Sequence, residues 1–457
     1  MSRCVLVSLL LVAAVWVAEA ETYLVLPDGS GDFPNIQAAV DAATNGDVIL
    51  LSDGTFTGDG NRDIDFDGKA ITVRSLSDDP VSCTVDCQGN SSAPHRGFRF
   101  DSGETASSVL QGLTVMNGYT AGSFPENDGA GVYCEGSSPA ITNCVFTENA
   151  AQSGAGVLCY DFASPTLTNC IFSRNQASAR TIGAGVYCHF YASPHLNGCS
   201  FIENSPDGMY AHATSSPQLD GCSFSGHSSR GFGCHGGSPS IVNCYFADNS
   251  GHALELLENS PAISGCTFAD NSAAEGAALY LDWDFAGTVV ECCFYNNTVT
   301  ESGAAVWCGS GSPSFVNCTM AYNVAGSGAG GIDCGSATVT LENTIIAFST
   351  GGHALDGNAT LSCCDLYGNA GGDWIGDIAG QYGVNGNISE DPLFCDLMSD
   401  DFTIQEDSPC AAFSSPNPEC DLIGSEPIGC PPPAAIWPPV ETASWGGVKA
   451  LFREGTD

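Results

Sequence analysis

The chain has 457 residues, with 11 Lys and Arg against 52 Asp and Glu, and a net charge of −41. So acidic a surface argues against nucleic acid as a partner, because phosphate backbones are held by basic faces. It suits hard cations such as Ca2+, which take oxygen ligands. With 43% hydrophobic residues and a recurrent use of Gly, Asn and Ser, the composition is not that of a disordered chain.

Residues 1–20 read as a secretory signal peptide: Arg3, an apolar run from Val5 to Val17, then Ala18-Glu19-Ala20 as a small-x-small cleavage site. No later stretch reaches the roughly 18 apolar residues of a membrane span, so the mature chain is expected to have none. Residues 21–57 form an N-terminal cap and first coil. Tyr23 to Leu26 is a strand, Asp28-Gly29-Ser30-Gly31-Asp32-Phe33 a turn, and Pro34 to Ala43 a helix with Ile36, Ala39, Val40 and Ala43 on one face. Asp47-Val48-Ile49-Leu50-Leu51 opens the first coil.

Residues 58–387 read as the β-helix, with weaker coils at both ends, and from residue 130 the chain repeats one phrase: Gly-Ala-Gly-Val-x-Cys, a polar turn, then Ser-Pro-x-Ile/Leu-x-x-Cys-x-Phe. The prolines Pro139, Pro165, Pro194, Pro217, Pro239, Pro261 and Pro313 are each followed five residues later by a cysteine, Cys144 through Cys318. Apolar positions alternate within short stretches, as in Ile141, Cys144 and Phe146 around a turn at Asn143. Asn or Gly precedes most of these cysteines, and a second asparagine column, Asn149, Asn175, Asn204, Asn249 and Asn271, follows the Phe. Both residue types accept left-handed turns. Such a phrase predicts an all-β, single-stranded right-handed parallel β-helix, a solenoid of about 12 coils of 22–29 residues with an N-terminal helix cap, about 60 Å long. Cysteines stacked in register have parallel Cα–Cβ vectors and Cβ atoms about 4.8 Å apart, beyond the usual disulfide span of about 3.8 Å. Most column cysteines are therefore expected to be buried thiols, including Cys134, Cys159, Cys188, Cys234 and Cys308.

Residues 388–430 read as a C-terminal cap. Cys395, Cys410, Cys420 and Cys430 there are disulfide candidates with three pairings open, and Cys83 with Cys87 is another. Residues 431–443 are a proline-rich linker and 444–457 a basic-aromatic tail of the sorting or surface-attachment kind.

The opening Asp28 to Phe33, Ile36-Gln37-Ala38-Ala39-Val40-Asp41-Ala42-Ala43, Gly46-Asp47-Val48-Ile49 and Gly54-Thr55-Phe56 resembles that of pectin-lyase-like β-helix proteins, pectin methylesterases included. The later coils resemble the right-handed β-helix repeat of bacterial secreted proteins. The resemblance implies the fold and frequent work on acidic polysaccharides. It supplies no complete catalytic motif: the polygalacturonase set is missing, with Gly251-His252-Ala253 and Gly352-His353-Ala354 as partial echoes. A pectate-lyase chemistry needs Ca2+ carboxylates beside a base, and arginines are few: Arg96, Arg99, Arg174, Arg180 and Arg230.

One local feature stands out. At the turn after the first cysteine, several coils carry Tyr160-Asp161-Phe162, His189-Phe190-Tyr191, Tyr210 with His212, His235, and Asp282-Trp283-Asp284. Stacked, these form a lateral ridge of rings and carboxylates suited to sugar stacking and hydrogen bonding, compatible with Ca2+. Arg180, Asp161 and His189 are its catalytic candidates. The histidine spacing follows the coil, not a zinc-ligand motif. The expected protein is a monomeric, secreted or cell-surface binder of carbohydrate or other surface ligands. The rival readings are a polysaccharide lyase or glycoside hydrolase, and a structural stalk or adhesin.

Overall fold

The computed structural model describes residues 20–124, 126–178, 183–258 and 260–431. The leader 1–20 except its last residue, the linker 431–443 beyond its first, and the tail 444–457 lie outside them.

One coil shows how the phrase becomes a solenoid. Ala140–Thr142 is a strand with Ile141 fully buried between half-buried neighbours. Asn143 then takes φ 53° and turns the chain. Val145–Thr147 follows with Phe146 inside, and Val157–Tyr160 with Val157 and Cys159 inside. Each of the three strands pairs in parallel with its counterpart one coil on: Ile141 with Leu167, Phe146 with Phe172, Cys159 with Cys188. The turn column behaves as its residues predict. Asn169, Asn243 and Asn317 have φ between 51° and 53°, Gly198, Gly221 and Gly265 about 60°, and even Glu291 adopts 52°.

Stacked coils make three long sheets. The first has 14 strands, from Thr22–Val25 to Ala359–Ser362; the second 12, from Ile64–Asp65 to His353–Asp356; the third 13, from Gly54–Phe56 to Asp365–Tyr367. The expected right-handed parallel β-helix is therefore the fold, with the right-handed crossovers that parallel strands prefer. The rod holds more levels than the 12 coils counted from the repeat. Its first strand, Thr22–Val25, is itself a rung paired to Val48–Leu51.

Two internal columns run through the rod. Phe146, Phe172, Phe201, Phe224, Phe246, Phe268 and Phe294 stack with ring centroids 4.5–5.3 Å apart. The second asparagine column is a buried amide ladder: Asn175 Nδ2 donates to Asn204 Oδ1 at 3.0 Å and to the Phe146 carbonyl at 2.9 Å. The same pattern carries Asn249, Asn271, Asn297 and Asn323. His227 interrupts it between Asn204 and Asn249.

The cysteine columns are thiols, as expected. Their S–H groups donate weakly to carbonyls of the preceding coil, for example Cys199 to Leu167 O at 3.4 Å, and burial pushes the Cys144 and Cys188 thiols up from the ordinary range. Cys83 and Cys87 are also thiols, not a disulfide; both are buried, with the inward-facing Val85 between them. Among the described residues the disulfides are Cys395–Cys430 and Cys363–Cys420, while Cys410 stays a thiol buried against Asp365.

The ends are closed differently. At the start, helix Ile36–Ala42 lays Ile36, Ala39 and Val40 on the core, its Asn35 cap accepting from the Ala38 N–H at 2.9 Å. At the other end Ile378 and Trp374 cover the core. Gln381 pairs with the edge strand there, accepting from Leu361 N and donating to Ala359 O. Beyond 388 the chain folds back along the outer face of the third sheet, where Phe394, Phe402 and Ile404 build a second core on Tyr295, Ala321 and Ile345.

Candidate functional site

The second sheet and the turn that leaves it carry the ridge. Strand residues alternate, so in Val132–Glu135 the side chains of Val132 and Cys134 face the core and those of Tyr133 and Glu135 face out. Parallel register repeats this at each level. The strand-end column runs Glu135, Tyr160, His189, then His212, His235, Leu257 and Asp282. The structure therefore brings together Tyr160, His189, His212 and Asp282 in one column. It places Asp161, Phe162, Phe190, Tyr191, Trp283 and Asp284 in the turns just beyond.

Those turns force their side chains outward. Asp161, Phe162, Phe190, Tyr191, Trp283 and Asp284 all have φ between 50° and 64°, a conformation uncommon for aromatic residues. The rings end up exposed: Phe162 by 65%, Phe190 by 45%, Tyr191 by 53% and Trp283 by 48%. They are ordered by contact with one another. Phe162 stacks on Tyr191 at 5.1 Å, His189 on His212 at 5.5 Å, and His235 meets the edge of Trp283 at 4.8 Å. Asp282 holds its turn in shape, its Oδ1 accepting from the Trp283 N–H at 2.7 Å and the Ser310 hydroxyl at 3.0 Å. Asp161 is exposed. Arg180 lies outside the described residues.

Burial, then the neighbouring histidine, lowers the pKa of both His189 and His212, so the stack is neutral at neutral pH. Among the described residues, no group of three or more His, Cys, Asp or Glu is arranged to hold a metal.

Tyr210, expected in the ridge turn with His212, instead sits in a column in the middle of the same strands that the sequence reading otherwise missed: Tyr133, Leu158, Tyr187, Tyr210, Gly233, Glu255, Tyr280 and Trp307. It is the x of Gly-Ala-Gly-Val-x-Cys, and its bulky rings were the available signal. Tyr133, Leu158, Tyr187 and Tyr210 pack into a small cluster of their own outside the rod. Over the gap at Gly233 lies Arg230, 5.6 Å from the Tyr210 ring. Its Nη1 is 2.9 Å from Asp207 Oδ2; its Nε is 2.9 Å from Glu255 Oε2, without hydrogen-bond alignment. Burial disfavours the charge on Arg230, but Asp207 and Glu255 outweigh it and raise the pKa. Arg96 with Glu126, Arg99 with Asp101, and Arg174 with Glu148 are likewise paired. Asp207 and Glu255 thus hold Arg230 charged, a poor state for abstracting a proton, whereas burial lowers the pKa of Arg96.

A family model described as right handed beta helix region matches residues 104–201, 178–320 and 235–389. Among solved structures, the chain is similar to the catalytic unit of a thermostable GH87 alpha-1,3-glucanase from Streptomyces thermodiastaticus strain HF3-3. That likeness has 12% identity and a TM-score of 0.51, over 78% of this chain and 67% of that one. It is similar to a variant of the PL6 family alginate lyase AlyGC, at 13% identity and TM-score 0.52, over 92% of this chain and 59% of the lyase. It is similar to tailspike protein 3 of bacteriophage CBA120, at 12% identity and TM-score 0.50, over 72% and 58%. At such identities the likeness is one of fold. No curated protein matches the chain.

Proposed function

The chain belongs to the right-handed β-helix family, and on that premise we propose that it is a secreted or cell-surface protein that binds carbohydrate along its lateral ridge. The observation that carries this is the row of exposed rings, Phe162, Phe190, Tyr191 and Trp283, presented by left-handed turns beside Asp161, Asp282 and Asp284. Aromatic faces stack on the apolar faces of sugar rings, and carboxylates accept hydrogen bonds from their hydroxyls. Elsewhere a large ring in a strained, exposed turn costs solubility and backbone energy, so its repetition on neighbouring coils favours a ligand. Two disulfides support an oxidising compartment.

The test is a glycan panel against the purified chain, followed for binding, for unsaturated uronates and for new reducing ends, with and without Ca2+. The binder reading expects affinity that falls at least tenfold in Trp283→Ala or Tyr191→Ala, with no product. Product formation would replace it with a lyase or hydrolase.

A further inference from the structure

Within the ridge, the turn at Trp283 opens on a cleft of about 330 Å3 lined by Glu258, Ser260, Trp283 and Asp284. Leu257 pairs with Asp282 across adjacent coils, so Glu258 stands in register with Trp283, about 4.8 Å along the rod. The Glu258 N–H donates to the Asp282 carbonyl at 3.3 Å and ties the two turns together. On the far side Ser310 holds the second turn. Its Oγ accepts from the Asp284 N–H at 2.9 Å, and its hydroxyl donates to Asp282 Oδ1 at 3.0 Å. Trp283 is therefore fixed in place while 48% exposed.

The cleft joins an indole to two exposed carboxylates, those of Glu258 and Asp284. An indole face and a carboxylate both attract a cation. The same face stacks on the apolar side of a pyranose. A ligand that uses ring and carboxylates together is therefore a sugar that carries an amine. A uronate would instead bring its own carboxylate up to Glu258 and Asp284 and be repelled. The pairing of ring and carboxylate recurs further along the ridge, where Phe162 and Tyr191 stack at 5.1 Å beside the exposed Asp161. The column from His189 to Asp282 takes four steps, so the turns at Tyr191 and Trp283 lie about 19 Å apart on one side of the rod. A net charge of −41 draws a polycation towards it at longer range.

We propose that the ridge takes a cationic aminosugar, a glycan of unacetylated hexosamine units. One pyranose lies on Trp283 with its ammonium directed at Glu258 and Asp284, and the glycan runs along the rod to the rings of Phe162 and Tyr191 beside Asp161. This rests on the carbohydrate-binding reading and deepens it by naming the sugar class. It departs from the acidic polysaccharides that the family resemblance implies, because the groups that flank the rings here are carboxylates.

The test titrates the full chain at about pH 6, where sugar amines are protonated. The probes are a β-1,4-glucosamine hexamer, its N-acetylated counterpart, hexalysine, and oligogalacturonate with and without Ca2+. The amine hexamer should bind at least tenfold more tightly than the acetylated one, and the preference should shrink as salt rises from about 0.05 M to about 0.5 M. Glu258→Gln combined with Asp284→Asn should remove the preference and leave the melting temperature unchanged, since both side chains are exposed. Glu203→Gln combined with Asp248→Asn, the same charge change in exposed turns that leave the third sheet, should preserve it. Equal losses in the two double variants would mean only that an acidic rod attracts a polycation, and would overturn the site. Equal binding of the two hexamers, or tighter binding of oligogalacturonate, overturns the aminosugar class, and a loss of that binding in Trp283→Ala leaves the ridge reading standing. Tighter binding of hexalysine makes the ligand a basic peptide and overturns the sugar. No binding of the amine hexamer overturns the proposal outright, and the wider glycan panel then decides the ridge by itself.

Discussion

His227 stands between Asn204 and Asn249 in the amide ladder, and replacing it with Asn tests what the ladder does. Its Nδ1 lies 3.0 Å from the Asn204 N–H, in the place where the other rungs put an Asn Oδ1. With Nδ1 accepting, the neutral ring carries its proton on Nε2, which is buried and has no partner. There is no Cβ at Gly208 to fill the space the ring uses; one there would lie 2.5 Å from Nε2. Burial pushes the pKa from 6.5 down to about 4, although carbonyls of Asn204 and Phe201 favour the charged form. A depressed histidine binds its proton first in the unfolded chain, so stability falls as pH drops from 6.5 towards 4. At pH 5 the loss relative to pH 7.5 comes to about 2 kcal/mol, at about 1.4 kcal/mol per pKa unit. In His227→Asn that component vanishes and the ladder gains a rung. Urea unfolding of both proteins at pH 7.5 and pH 5 isolates the effect, because every other titrating group is common to both. The variant's advantage should widen by about 2 kcal/mol at pH 5. An advantage that does not change with pH would refute the assignment of a neutral, unpaired imidazole.

Asp365 has the opposite sign. Burial raises its pKa from 3.8 to about 7 despite donors at Glu390 N and Cys410 Sγ. The folded protein holds a proton that the unfolded chain gives up, so stability falls as pH rises from 3.8 through 7. Asp365→Asn should therefore gain on the native protein, by up to about 4 kcal/mol in the same unfolding assay at pH 8. Counting thiols on the denatured, unreduced chain should find about 19 in residues 20–431; fewer than about four would sink the thiol columns. Phe224→Ala, in the middle of the ring stack, should cost about 3–5 kcal/mol in chemical unfolding. A loss under 1 kcal/mol would mean that the neighbouring rings close the gap.

A solenoid is legible because its contacts are one coil apart in sequence. Pro139 to Cys144 and Pro165 to Cys170 carry the same offset because Ile141 pairs with Leu167. The turn at Asn143 was readable because few residues take φ near 53° cheaply. The ridge was readable for the opposite reason: Phe162, Tyr191 and Trp283 stand where other coils have small residues. What escaped was whatever depends on exact register or on departure from the repeat. Arg230, Asp207 and Glu255 meet only when adjacent coils are aligned to the residue. The cleft at Trp283 forms because Glu258 stands in register one coil before it. Cys420 pairs with Cys363, 57 residues away, because the chain after 388 reverses along the rod, a path no local pattern records.

The columns that hold the rod together, rings and amides alike, face its interior, while the turns bearing Phe162, Tyr191 and Trp283 contribute nothing to them. Cohesion and display are thus assigned to separate residues within every coil. A tandem duplication of one whole coil would add a rung to each column without disturbing its neighbours, and would lengthen the outer row by one tooth. Selection can therefore rewrite the teeth one at a time, at little risk to the axle on which they are mounted.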